Sequence, residues 1–196
     1  MTRKVLTCLF CGVLAVSMQA AEILNGGFEL PEKSLASKGI VLRPAENWEF
    51  MLHAGSDKTG AELTDEAHSG KKAARLFTKV EKAFVGLYQT VACEPDTTLT
   101  ASAWMKGGKQ GCKAYFRIRF LDKNDVKDKQ YLMPGWNVKD KWTFCEYKFR
   151  VPANASKVSF GIETLGNRIP DAELLVDDVR IQEEFAPVLA NGLIRA

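Results

Sequence analysis

The chain has 196 residues, with 27 Lys and Arg against 24 Asp and Glu, a formal net charge of +3. So even a balance argues against nucleic acid as a partner, because displacing phosphate counterions takes a concentrated basic surface. The length suits one domain with a sizeable core and leaves no room for a separate catalytic domain of ordinary size.

In chain order, the first segment is Arg3 and Lys4, then a nearly unbroken apolar run from Val5 to Val16, then Ser17-Met18-Gln19-Ala20-Ala21, whose small residues suit cleavage after Ala20. This is the pattern of a secretory signal peptide over residues 1–20. About a dozen apolar residues fall short of the roughly 20 that a spanning helix needs, and Cys11 follows the bulky Phe10, which argues against a lipoprotein. The expectation is a soluble exported protein, periplasmic or extracellular. Loss of Arg3 and Lys4 would leave 27 − 2 = 25 basic residues against 24 acidic ones.

The next segment opens on Asn25-Gly26-Gly27-Phe28-Glu29, and period-two alternation dominates from there on. Such runs occupy Lys72 to Thr78, Phe84 to Cys93, Thr98 to Lys106, Cys112 to Leu121, Trp142 to Val151, Lys157 to Thr164 and Glu173 to Ile181. Between them lie turn signals at Glu94-Pro95-Asp96, Gly107-Gly108, Asp122-Lys123-Asn124-Asp125 and Pro152-Ala153-Asn154. No stretch shows a helical period. The prediction is an all-β jelly-roll β-sandwich over residues 21–182, with about eight to ten antiparallel strands in two sheets. The tail 183–196 carries Phe185, Val188, Leu189, Leu193 and Ile194, which suit docking onto this domain or onto a protein partner.

Cys93, Cys112 and Cys145 remain after the leader. The apolar phase turns Cys93 inward with Val91 and Cys145 inward with Phe149, which leaves two readings open: a buried Cys93–Cys145 bridge, or three unpaired core thiols. Zinc spacing is absent. So are a calcium loop of the helix-loop-helix type, a nucleophile elbow and a phosphate loop.

Candidate ligand contacts are the aromatic and guanidinium side chains left over once the core is filled. Trp104 lies in the polar phase of its run with Thr100 and Ser102, and Tyr115, Arg117 and Arg119 lie in the polar phase of the next. If the two runs pair, one outer face carries flat rings beside multi-donor guanidinium groups. A ring covers the apolar face of a pyranose while Arg reaches hydroxyls or a carboxylate. Tyr131 and Trp136 interrupt a charged loop from Asp122 to Lys141, where apolar rings suit a ligand contact or a lid over the sheet edge.

The ordered landmarks carry a resemblance: Asn25 to Glu29, Trp48, His68-Ser69-Gly70-Lys71, Gly86 to Val91, Ser102 to Lys106, Trp142 to Pro152, and Val176-Asp177-Asp178-Val179. In content and order the series resembles carbohydrate-binding modules of families 4, 9 and 22, which are galactose-binding-domain-like β-sandwiches. The resemblance implies a cleft arginine at Arg117 and a cleft aromatic in the Tyr131 to Trp136 region. It also implies a structural calcium ion, with Glu29 and Asp177 as side-chain ligands and carbonyls near Gly27 and Gly70 completing the shell, a donor set suited to a hard cation. The phase of Val179 and Ile181 independently turns Asp177 inward, where a carboxylate needs partners. The function implied is non-catalytic binding of a polysaccharide or oligosaccharide, as an accessory module of glycoside hydrolase type. Two alternatives stand beside it: a jelly-roll glycoside hydrolase or polysaccharide lyase, for which Glu146 and Glu163 are the nearby strand acids, and a protein-protein adhesion or assembly module.

Overall fold

The computed structural model describes residues 21–35, 41–53, 59–79, 84–128, 131–165 and 172–184. The expected signal peptide, and the expected tail beyond residue 184, lie outside them. The described residues form twelve strands and no helix, so none long and apolar enough to cross a membrane. In chain order the strands are β1 (Pro31–Leu35), β2 (Val41–Ala45), β3 (Glu49–His53), β4 (Thr59–Thr64), β5 (Ala73–Thr78), β6 (Phe84–Ala92), β7 (Thr98–Gly107), β8 (Cys112–Leu121), β9 (Gly135–Val138), β10 (Thr143–Arg150), β11 (Lys157–Leu165) and β12 (Ala172–Glu183).

Ten of them build the expected antiparallel sandwich, as two five-stranded sheets ordered β10-β7-β12-β5-β4 and β3-β6-β11-β8-β9, while β1 and β2 pair separately. These are called here the β7 sheet and the β8 sheet. The alternating runs decide which side chains meet between the layers. Leu99, Ala101, Ala103 and Met105 of β7 face Phe116 and Ile118 of β8 and Phe160 and Ile162 of β11, all in one buried core.

The condition that β7 pairs with β8 is not met; the two lie in different sheets. Consecutive strands pair only about two-thirds of the time, and here a glycine-rich arch carries the chain across the edge of the sandwich. The Gly107 N–H donates to the carbonyl of Lys139 at 2.7 Å, and a Cβ on Gly107 would stand 2.7 Å from the Val138 carbonyl oxygen. Gly111 takes a φ of +72°, a left-handed value that favours glycine.

The two motifs at the ends of the sandwich meet. Phe28 packs on the fully buried Trp48 with ring centroids 5.1 Å apart, and the Trp48 indole N–H donates to the Asn25 carbonyl at 3.0 Å. The Asn25 amide donates to the carbonyls of Leu30 and Glu46. Gly26 accepts a hydrogen bond from the Val179 N–H at 2.9 Å, where a register shift between Asp177 and Arg180 bulges β12 and Asp178 takes a φ of +50°. The N-terminal turn is thereby closed onto the last strand.

Cys93, Cys112 and Cys145 are free and buried, so the reading of a Cys93–Cys145 bridge gives way to that of unpaired thiols. Cys93 follows β6 in the β8 sheet and Cys145 lies on β10 of the other. Burial pushes all three thiols up to about 11, which leaves them unreactive.

Candidate functional site

The outer face of the β8 sheet carries the most developed arrangement. Three rows of cross-strand neighbours run across it. Met51, Gly86, Glu163, Tyr115 and Gly135 form the first, Glu49, Tyr88, Gly161 and Arg117 the second, and Thr90, Ser159 and Arg119 the third. Gly86 and Gly161 have no Cβ, and Tyr88 uses the room. A Cβ on either glycine would collide with its ring, so the ring lies down across both strands as a floor.

The Tyr88 hydroxyl donates to Glu163 Oε1, which also accepts from Arg117 Nη1 at 2.9 Å. Glu163 is 1% exposed, so a charge has been buried with two donors rather than left bare. Burial first, and then the Glu163 charge, push the Tyr88 phenol far above its usual range, which makes it a donor and not a base.

Above this floor the Arg117 guanidinium stacks on Tyr131 at 4.5 Å from the ring centroid, and Arg119 lies 5.3 Å from the same ring. A backbone pair between Leu132 and Ile118 holds Tyr131 there, 44% exposed. Along the same face opens a groove of about 720 Å³, floored by Tyr88, Thr90, Ala92 and Ser159. Glu22, Leu24, Asn47, Glu49 and Met51 line one side and Lys127 lines the other. The wall at Leu24 is fixed by Gln89, whose amide exchanges two hydrogen bonds with the Leu24 backbone at 2.8 and 3.0 Å.

Of the expected contact residues, Arg117, Arg119, Tyr115 and Tyr131 belong to this face, and Tyr115 is set against Gly135 at its far edge. Trp136 does not. It points inward and, partly buried, packs against the core on Phe116 at 4.6 Å, because its register partner is the inward Ala114. Trp104 does not either. As a β7 residue it stands on the outside of the opposite sheet, where it stacks on His68 at 3.9 Å and 13° and lies 5.5 Å from Phe144. Tyr88, Thr90 and Ser159 were missed by the sequence reading, and the mid-strand glycines Gly86 and Gly161 were the available signal.

The four residues expected at a metal also come together. Asp177 is fully buried, and its carboxylate accepts backbone N–H groups from His68 at 2.8 Å, Ser69 at 3.0 Å and Asp178 at 2.7 Å. Burial nevertheless pushes its pKa up. Glu29 Oε1 accepts from the amides of Lys71 at 2.7 Å and Lys72 at 3.0 Å, which lowers its pKa. Gly27 lies between the two carboxylates: a Cβ there would be 3.9 Å from Asp177 Oδ1 and 4.0 Å from Glu29 Cγ. Gly70, at a φ of +64°, brings its backbone against Glu29.

No protein-family model matches the chain. It is 35% identical over 120 residues to the tRNA(Glu)-specific nuclease WapA of Bacillus subtilis subsp. natto, an alignment covering 56% of this chain and 5% of that protein. The chain thus spans about a twentieth of the curated relative it matches. Among solved structures, it superposes on the enzymatically active domain of bacteriophage CBA120 tailspike protein 4 with a TM-score of 0.60 and 17% identity, over 71% of this chain and 20% of that one. A family 61 carbohydrate-binding module in complex with β-1,4-galactotriose gives 0.56 and 15%, over 83% and 97%. The xylan-binding family 22 module of Paenibacillus barcinonensis Xyn10C gives 0.53 and 19%, over 70% and 86%. The chain shares the β-sandwich fold of these carbohydrate-binding modules.

Proposed function

We propose that this chain is an exported, non-catalytic carbohydrate-binding protein that holds an oligosaccharide or polysaccharide across the outer face of the β8 sheet. The observation that supports it is the continuity of that face: an exposed Tyr131 stacked on Arg117, a flat Tyr88 floor, and the groove running on over Thr90 and Ser159. Rings offer the apolar faces of sugars a partner, and the hydroxyls and guanidinium groups supply directional hydrogen bonds. Catalysis is less well served. Glu163 is committed to Arg117 and Tyr88, and a phenol held high in pKa is a poor base. The stretch shared with the nuclease is too small a part of that protein to bring its activity along.

The reading is tested with a polysaccharide panel that includes β-1,4-galactan and xylan. Binding without release of reducing ends is expected for at least one polymer. Tyr131→Ala should weaken that binding by roughly ten- to a hundredfold, the worth of about 1.4 to 2.8 kcal/mol. Because Tyr131 is exposed, the unfolding midpoint should stay within a degree or two. Undiminished binding by this variant would exclude the ring as a contact.

The resemblance-based calcium site enters here on its donor chemistry. Two carboxylates flank Gly27, and the buried one meets backbone amides and, among the described residues, no cationic side chain. Among the described residues no three His, Cys, Asp or Glu side chains converge, so a cation would take Glu29 and Asp177 and complete its shell with carbonyls and water. Its contribution would be structural, holding the Gly27 turn to the bulge of β12. Millimolar calcium should raise the unfolding midpoint and a chelator should reverse the rise; identical melting curves in both would remove the metal from the account.

A further inference from the structure

Two arginines on the proposed glycan face are in unlike states. Arg117 is neutralised by Glu163 at 2.9 Å. Arg119, two residues along the same strand face, has no acidic partner among the described residues, and its Nε is buried without a hydrogen-bond partner. A guanidinium carries five donors and stays charged throughout the biological pH range, so an arginine with no acid beside it keeps its charge for a ligand. Arg119 is not idle in other respects. It lies beside the Tyr131 ring, which fixes its plane, and its register neighbour is Ser159, which lines the groove.

Charge is also unevenly spread along the groove. Glu22 and Glu46 line the β3 side, whereas Lys127 lines the side toward β8, brought there by its bridge to Leu121. One end of the groove therefore repels carboxylates and the other attracts them. We infer that the glycan is an acidic one, whose uronate carboxylate is received by Arg119 at the β8 end while neutral residues of the same chain lie over Tyr88 toward β3. The inference rests on the glycan-binding reading above and adds the chemical class of the ligand.

The experiment uses glucuronoxylan, polygalacturonate and alginate, each in its native form and after reduction of its carboxyl groups to primary alcohols. Backbone and length stay the same within a pair, so the difference isolates the carboxylate. At least one native polymer should bind about ten- to a hundredfold more tightly than its reduced form, the range expected of a charge-assisted bidentate contact. That preference should shrink between 50 and 500 mM salt. Arg119→Gln should erase the preference, so that the variant binds the native and the reduced polymer alike, and Arg119→Lys should restore part of it. Equal binding of native and reduced forms, or a preference that survives in Arg119→Gln, would overturn the inference and leave glycan binding standing. If neither the native and reduced polymers nor the neutral galactan and xylan bind, the function itself falls with it.

Discussion

Replacing Asp177 with alanine should cost about 3 to 5 kcal/mol of folding stability, because three backbone N–H groups lose their acceptor in a fully buried place. The loss reaches beyond one residue. The His68 and Ser69 amides belong to the loop that joins β4 to β5, and the Asp178 amide belongs to the bulge of β12, so one carboxylate ties a loop to the last strand. Asp178 supports the same junction from its other side, accepting from the Ser69 hydroxyl at 2.9 Å and meeting His68 Nδ1 at 2.8 Å. Loosening this loop frees His68, whose ring covers Trp104. A rise in tryptophan exposure, read by quenching, should therefore accompany the lower midpoint in chemical denaturation. Asp177→Asn separates shape from charge. It keeps an oxygen for some of the amides, so it should cost less, yet it should lose the response to calcium if that response exists. An Asp177→Ala variant as stable as the parent would mean that the three amides find water instead, and the clasp would then be incidental.

What was legible in the sequence follows from what period two encodes. Alternation states which side chains face the core, and it does so locally, so seven runs became β5 to β8 and β10 to β12 with ends shifted by a residue or two. Asp177 was read as inward from the phase of Val179 and Ile181 in the same way, and all three are buried. Alternation does not state which sheet a strand joins. Trp104 and Arg117 are both outward, and would stand side by side only if their strands paired, but the arch from Gly107 to Gly111 sends those strands to opposite layers. The short edge strands β3, β4 and β9 carry too few residues to show a period, and β4 and β9 each contain a glycine. Trp136 was read as part of a loop for that reason, although β9 fixes it inward against Phe116. The Tyr88 floor could be seen only once register was known, since its room comes from Gly86 on its own strand and Gly161 on the next.

Glu163→Ala should be the second severe change, and its effects should fall on stability and on ligand binding together. Glu163 lies on the central strand β11 with its oxygen shared between Arg117 and Tyr88, one donor from each neighbouring strand. Removing the carboxylate strands a largely covered guanidinium and leaves the buried Tyr88 hydroxyl without an acceptor, a combination that costs about 3 to 5 kcal/mol when one partner of a buried pair is deleted. Arg117 then has no reason to keep the plane in which it stacks on Tyr131, so the exposed ring loses its support and glycan affinity should drop with it. Glu163→Gln keeps the length and one acceptor oxygen but no charge, and the expected cost is about 1 to 2 kcal/mol. Binding should survive in that variant at reduced strength. The pair of variants also discriminates a binding protein from an enzyme. Were Glu163 a general acid or nucleophile, the glutamine variant would retain affinity and lose all turnover of a substrate that the parent cleaves. If Glu163 only holds the floor, no polymer in the panel is cleaved by either protein, and affinity follows the order parent, glutamine, alanine. An alanine variant that binds and melts like the parent would show that the floor stands without its central carboxylate.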